Sequence, residues 1–312
     1  MEIIHIHHPY EATRIPADKV VLVLGFFDGV HKGHQALIEK AKELSKEKNL
    51  KVAVMTFDPH PSVVFQKIDP EKMKYLSTLS IKEDLMAALG VEILYEVQFT
   101  SSFAKLTPEE FVEDYIIGLN AEHIVAGFDY TYGPKDIANM ERLPGYAKGR
   151  FGISMIEKQT LNDEKISSTR IRLALDAGHL EEANRLLGYE YTMRGRVVHG
   201  DARGRTLGFP TANIQIEQGV HVPRIGVYAV KILVNRTWHH GMASIGYNVT
   251  FEADRPMTVE VYILDFDEDI YGEPVSVAWC HYLRDEIKFS GIEPLITQLK
   301  QDEVDTRAFF KK

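Results

Sequence analysis

Cysteine is nearly missing: the 312 residues contain one, Cys280. A disulfide framework within the chain is excluded, and a reducing, cytoplasmic setting is expected. Cys280 itself reads as a small buried hydrophobe. No apolar run is long enough to span a bilayer, so no membrane partner is expected. The opening Met-Glu-Ile-Ile-His-Ile-His-His lacks the charged and apolar regions of a secretion signal. Basic charge is in deficit, with 36 Lys and Arg against 45 Asp and Glu and a formal net charge of −9. No global field therefore draws the chain to nucleic acid, and an anionic substrate must be attracted by local groups. Low-complexity linkers and long repeats are missing too.

What is present is ordinary globular composition, 45% hydrophobic and 26% charged, in a chain long enough for two domains. Residues 1 to about 187 alternate strand and helix signals. Strands are expected at Val20–Leu24, Val52–Phe57, Ile93–Val97 and Ile124–Ala126, and helices at Gln35–Glu47, Ile81–Leu89 and Pro108–Ile117. This rhythm implies a parallel doubly wound sheet, an α/β/α layer architecture. At the start, Ile4 and Ile6 alternate with His5 and His7, the pattern of a half-exposed strand rather than a metal site. Two helices, Ser168–Ala177 and Leu180–Leu187, lead to a boundary near Gly188. Beyond it, β-rich segments at Thr192–Val198, Val227–Val234, Val259–Phe266 and Val275–Tyr282 imply a small antiparallel barrel. Ile292, Leu295, Ile296 and Leu299 recur at helical spacing, so a C-terminal helix is expected to cover one barrel face. The expected domains are residues 1–187 and 188–312.

The densest motif is Gly25-Phe-Phe27-Asp28-Gly29-Val-His31-Lys-Gly33-His34, a tight turn after a buried-type strand. Its histidines stand three apart where a helix should begin, so both imidazoles can reach one ligand at the helix N-terminus. No Gly-Lys-Ser/Thr follows, which excludes a Walker A loop and suits attack on an α-phosphate. The plainer alternative is a strand-to-helix turn whose histidines cap the helix. The loops Asp58-Pro59-His-Pro61 and Gly127-Phe-Asp129-Tyr-Thr-Tyr132-Gly133 also follow predicted strands. Three unusual loops thus converge on the sheet edge where such folds bind ligands.

These motifs resemble the nucleotidylyltransferase superfamily in the variant used by bacterial FAD synthetases. The resemblance implies that His31 and His34 stabilise the α,β-phosphates of ATP during adenylyl transfer, with Gly25, Phe27, Asp28, Gly29 and Gly33 shaping the ATP site. Lys165-Ile-Ser-Ser168-Thr169-Arg-Ile-Arg172 reads by itself as a capped helix carrying two arginines. It resembles the family motif that meets the triphosphate from the opposite side, which implies ATP contacts at Lys165, Ser168, Thr169 and Arg172. Pro59, Pro61, Asp129 and Tyr132 fall at the family's flavin-side positions, with plain core as the lesser alternative for the aromatic. The segment Gly133–Met140 departs from the basic, glycine-rich stretch common in the family, which leaves its contact with substrate phosphates open.

In the second half, Gly200-Asp-Ala-Arg-Gly204-Arg205-Thr-Leu-Gly208-Phe-Pro210-Thr211-Ala-Asn213 offers backbone that can approach a ligand closely. Thr211 and Asn213 share a face if extended, and their hard oxygens suit Mg²⁺. Glu260 shares its strand face with Tyr262 and Leu264; by alternation alone it is either an exposed strand carboxylate or a partly desolvated base. The Pro-Thr-Ala-Asn string and Val-Glu-Val-x-Ile-Leu-Asp-Phe resemble riboflavin kinases. This implies that Glu260 is the base, that Thr211 and Asn213 are the metal ligands, and that Gly204, Arg205, Gly208 and Pro210 line the ATP site. It also implies that Arg284 and Glu286 border the flavin. Ser244–Phe251 resembles a family loop in which Val249 replaces the usual proline. Taken together, the resemblance implies an N-terminal Rossmann-like adenylyltransferase and a C-terminal kinase barrel. Riboflavin, FMN and ATP would be the substrates, and a monomer or weak homo-oligomer the assembly. A flavin-binding regulator with idle catalytic residues is the alternative from another class.

Overall fold

The computed structural model describes residues 1–66, 69, 73–200, 203–247 and 257–311, in two compact units, Met1–Ser167 and Ser168–Lys312.

In the first unit the strands are β1 (Glu2–Ile6), β2 (Val20–Leu24), β3 (Lys51–Asp58), β4 (Ile93–Gln98), β5 (Ala121–Gly127) and β6 (Gly152–Ile156), with a small hairpin of β7 (Thr160–Leu161) and β8 (Glu164–Lys165). The helices are α1 (Lys32–Lys48), α2 (Pro61–Phe65), α3 (Leu79–Ala88), α4 (Pro108–Val112) and α5 (Leu143–Ala147). The six large strands form one sheet in the order β1-β4-β3-β2-β5-β6, every pairing parallel. Its central strand β2, Val-Val-Leu-Val-Leu, is buried at every position, as a parallel strand covered on both faces requires. On one face Val21, Val23, Val54 and Leu94 pack with Leu37, Ile38 and Ala41 of α1. On the other, Leu22, Leu24 and Met55 meet an aromatic layer that includes Phe103, Phe111 and Tyr115. The strand order turns back at β2: β3 and β4 lie to one side, β5 and β6 to the other. The carboxyl ends of β2 and β5 therefore flank a topological switch point, the crevice in which open parallel sheets bind ligands.

β1 alternates as read, with Ile4 and Ile6 buried and His5 exposed. The helix expected over Pro108–Ile117 is divided. A Thr107/Glu110 capping box starts α4, and Glu113–Ile117 continues as a π-helical turn. The strand β6 was not anticipated, because Gly152–Ile156 is only partly buried at an edge and carries a weak apolar signal.

The second unit starts with α6 (Ser168–Ala177) and α7 (Leu180–Leu187), which pack together, α7 also against the barrel strand β14 introduced next. The division at Ser167/Ser168 thus precedes the boundary read near Gly188. Six strands follow, β9 (Thr192–Val198), β10 (Thr211–Ile216), β11 (Gly226–Val234), β12 (Thr237–Gly246), β13 (Thr258–Ile263) and β14 (Pro274–Arg284), together with the short α8 (Arg203–Thr206). They close into an antiparallel barrel, β10-β13-β12-β11-β14-β9, around Tyr228 and Trp279. The helix α9 (Ile292–Phe310) lies on β11, β12 and β14. The expected stripe is covered less at its start and continues along the same face to Asp302 and Thr306. Ile292 is exposed, Leu295, Ile296 and Leu299 are half-buried, and Asp302 and Thr306 are the buried ones. The reason is ionic: Asp302 accepts two bonds from the Arg284 guanidinium, at 2.8 and 2.6 Å, which anchors the helix through its middle.

Candidate active sites

After β2 the chain makes its last main-chain bond to β3 from Gly25 N to Met55 O. Phe27 then adopts a left-handed conformation (φ 59°), and Gly29 (φ 76°) takes one that suits only glycine. His31 ends the turn as the N-cap of α1, its Nδ1 accepting from His34 N at 3.3 Å. The two imidazoles stack with centroids 3.6 Å apart and planes 14° apart, and Phe27 meets His34 edge-on. Burial, opposed by a hydrogen bond to its own backbone, lowers His31 to about 4. Burial, then His31, Lys82 and Lys165, also hold His34 well below the usual imidazole range. Both rings are therefore neutral at pH 7. His34 Nδ1 is buried and has no hydrogen-bond partner among the described residues. A neutral imidazole pair with an unused nitrogen at a helix N-terminus is ready to receive an anionic oxygen.

The resemblance assigns Lys165 to ATP and Asp129 to the flavin. The structure pairs them, Lys165 Nζ with Asp129 Oδ2, and sets the ammonium over the Phe128 ring at 5.1 Å. Both charges also act on His31. Loops from β2, β5 and β8 thus meet at the switch point.

Some expected contacts turn inward instead. Phe27 and Asp28 are buried, so only their backbone is left to face a ligand. Asp28 Oδ1 accepts from Leu76 N at 2.8 Å and Ser77 N at 3.3 Å, while Ser77 Oγ accepts from Gly29 N at 2.9 Å. Tyr132 is also buried, stacked on Phe111 at 5.2 Å, which is a core placement. Gly33 lies in the first turn of α1; Pro59 follows β3 and Pro61 opens α2. The atypical Gly133–Met140 segment folds on itself through Tyr132 N to Ala138 O, Ala138 N to Pro134 O and Asn139 Nδ2 to Lys135 O. Ser168, Thr169 and Arg172 stand on the first turns of α6, in the second unit, where neighbouring Arg170 pairs with Glu182 of α7 at 2.7 Å.

In the barrel, β10 is extended, so Thr211 and Asn213 share a face. Asn213 stands directly opposite Glu260 in the β10–β13 pair, and Thr211 Oγ1 donates to Glu260 Oε2 at 2.9 Å. Thr258 Oγ1 approaches the other carboxylate oxygen at 3.4 Å. Gly200 is packed so closely on the Asn213 amide that no Cβ would fit there. Gly204, exposed Arg205, Gly208 and Pro210 make the loop entering β10, with Gly204 beside Thr211. A threonine hydroxyl that donates its proton to Glu260 keeps oxygen lone pairs for a hard cation, and the Asn213 carbonyl oxygen is a second such donor. Thr211 and Asn213 therefore suit Mg²⁺, beside Glu260.

Arg284 and Glu286 are structurally engaged: the first holds Asp302, and Glu286 Oε1 accepts from Tyr247 N at 3.1 Å. The substituted loop at Asn248–Phe251 lies outside the described residues. Missed from the sequence were Ser77, Thr56 and above all Lys82. A lysine on the apolar face of α3, between Ile81 and Met86, was the available signal.

Imidazole and ammonium groups gathered at a sheet switch point, and a strand carboxylate among oxygen donors in a barrel, are both tools for handling nucleotide phosphates; the class is a two-centre phosphate-transferring enzyme. A family model described as FAD synthetase matches residues 14–170, and one described as riboflavin kinase matches residues 187–310. The bifunctional riboflavin kinase/FMN adenylyltransferase of Listeria monocytogenes is 53% identical over 312 residues, covering 100% of this chain and 99% of that one. Its Bacillus subtilis counterpart is 45% identical, covering 99% and 98%. A solved structure from Streptococcus pneumoniae, described as a macrolide-efflux protein, matches with a TM-score of 0.89 at 40% identity, over 97% of this chain and 99% of that one. Among the described residues, no helix is long and apolar enough to cross a membrane. The chain belongs to the bacterial bifunctional riboflavin kinase/FMN adenylyltransferase family.

Proposed function

We propose that the chain makes FAD in two steps at two separate centres, assigned to residues 1–187 and 188–312. The observation that carries the reading is the pair of constellations: stacked neutral histidines at the N-terminus of α1, and Glu260 bonded to Thr211 in the barrel.

In the barrel, Glu260 accepts the proton of the primary ribityl hydroxyl of riboflavin. The freed oxygen attacks the γ-phosphorus of ATP in line, and the bond to ADP breaks. Thr211 fixes the Glu260 carboxylate before the substrate arrives. Thr211 and Asn213 would hold Mg²⁺, which would neutralise charge on the ATP phosphates. The loop of Gly204, Arg205, Gly208 and Pro210 receives the triphosphate, and Arg284 and Glu286 border the flavin by fixing the chain around β14.

In the first unit, a phosphate oxygen of FMN attacks the α-phosphorus of ATP; a new P–O–P bond forms and pyrophosphate leaves. No proton need move. His31 and His34 hold the oxygens on which charge develops, assisted by Lys165 and by the backbone of Gly25–Gly33. Ser168, Thr169 and Arg172 are assigned to ATP phosphates, and Pro59, Pro61, Asp129 and Tyr132 to the flavin side. We place the chain in the cytoplasm, acting on small molecules rather than nucleic acid, as a monomer or weak homo-oligomer.

The test is product analysis. Purified chain is incubated with ATP and Mg²⁺ and either riboflavin or FMN, and the flavins are separated chromatographically. FAD from both reactions is the expected result. FMN alone from riboflavin would sink the adenylyl assignment, and no conversion would leave a flavin-binding protein.

A further inference from the structure

Lys82 is 3% exposed, on the face of α3 that also buries Ile81 and Met86. A buried ammonium is costly and persists only when paired and hydrogen-bonded. Here Nζ donates to Phe26 O at 2.9 Å and Thr56 Oγ1 at 3.1 Å, and stands 4.4 Å from the Phe26 ring centroid. Thr56 Oγ1 in turn donates to Phe26 O at 2.8 Å. The β2–β3 ladder ends at Gly25 N, so past that point these two side-chain donors take over the hold on the turn. The turn needs it. Phe27 (φ 59°), Gly29 (φ 76°) and Val30 (φ 36°) all have positive φ, and a non-glycine residue is strained there unless its surroundings fix it. The Leu76 and Ser77 N–H groups clamp the turn at Asp28, the Ser77 hydroxyl clamps it at Gly29, and Lys82 clamps it at Phe26.

The charge matters as well as the hydrogen bonds. Burial lowers Lys82 to about 8, while Asp28 from the turn, Asp58 at the end of β3 and Glu96 from β4 act to raise it. It therefore stays cationic at pH 7. Glu96, buried and faced by Glu83 of α3, is itself pushed up to about 7; His5 of β1 stands 2.9 Å from it. On the other side, the Lys82 charge helps to keep His34 of α1 neutral.

We propose that Lys82 is a positioning residue for adenylyl transfer: its ammonium fixes the Phe26 carbonyl, and so the turn that delivers His31 and His34, and its positive charge acts on His34. This rests on the adenylyl reading of the site, since wild-type chain that forms no FAD from FMN would defeat that reading first.

The test uses the full chain. Lys82→Met keeps the apolar stem and removes the charge and both bonds, Lys82→Arg keeps the charge, and Thr56→Val removes the second donor without changing charge. FAD formation from FMN and ATP is measured from about pH 3.5 to 9, so that the range spans the titration of His31, with FMN formation from riboflavin as the control reaction. Lys82→Met is expected to lose about 10- to 100-fold in kcat/KM for FAD formation, a size typical of small misplacements. FMN formation is expected to be unchanged. The acid limb of the pH profile moves to higher pH, because losing a nearby cation lets His34 protonate more easily. Lys82→Arg recovers part of the rate and keeps the wild-type acid limb, and Thr56→Val loses rate with no shift of that limb. Full FAD formation by Lys82→Met, or lost rate with an unmoved acid limb, would overturn the proposal. Should Lys82→Met fail to fold, Thr56→Val decides, and full activity in that variant overturns it too.

Discussion

Thr211 Oγ1 donates to Glu260 Oε2 at 2.9 Å across neighbouring strands, so the candidate kinase base is oriented by the candidate metal ligand. Glu260→Gln keeps the shape and removes the base. It is expected to lower FMN formation about 10²- to 10⁴-fold. FAD formation from added FMN should be untouched, measured as separate chromatographic yields. A parallel fall in both would refute the two-centre assignment.

His31→Ala is the converse. Losing one preorganised group beside developing phosphate charge is expected to reduce FAD formation about 10²- to 10³-fold and leave FMN formation intact. The substitution also removes the N-cap of α1, which costs about 0.5–2 kcal/mol of stability.

The same histidine gives a pH dependence with a definite sign. His31 titrates near 4 in the folded chain and near 6.5 when unfolded, so between those values the unfolded chain holds the extra proton. Stability contributed by neutral His31 is present above about pH 6.5 and is lost as pH falls toward 4, by up to about 3 kcal/mol. Glu96, raised to about 7, acts in the opposite sense, losing stability as pH rises from 4.5 toward 7. Comparing wild type with His31→Ala cancels the Glu96 contribution. The wild-type unfolding free energy should fall relative to the variant as the pH drops from 7 to 4.

Arg284→Met strands Asp302, which is 2% exposed. Breaking one partner of a buried pair costs about 3–5 kcal/mol, although Gln298 also bonds Asp302 at 2.9 Å. The denaturation midpoint of the second unit should drop. Arg284→Met combined with Asp302→Leu should recover most of it, since no unpaired charge is left.

Cys280 is buried, and burial followed by Glu190 pushes its thiol up to about 12. A thiol reagent at pH 8 should leave the native chain unmodified and react with one thiol per chain in denaturant.

The strands β2 and β9 and the helices α6 and α7 were legible to the residue, because each is long, patterned and bounded by glycine or charged turns. The histidine pair and the Thr211, Asn213 and Glu260 set were legible as motifs. Lys82 was not: its place on the apolar face of α3 was the local signal, but its partners come from the turn after β2 and from β3 and β4, far away in the chain. Asp28 and Tyr132 were read toward ligands but are buried, since a motif fixes residue type and not side-chain direction. The α9 stripe marked the helix and the face it turns to the barrel, but not that the Arg284–Asp302 pair would be the most buried part of that face.

The sequence by itself determined the alternation of strands and helices, the change to β-structure after Gly188 and the chemical types present in each motif. Those properties are carried by residues close together in the chain, through periodicity, turn chemistry and capping. Only the tertiary structure decided that β2 and β5 flank the switch point, that Lys165 pairs with Asp129, that His31 stacks on His34 as a neutral pair, and that Thr211 meets Glu260. These depend on strand register and on burial, which are set by packing between segments far apart in the chain.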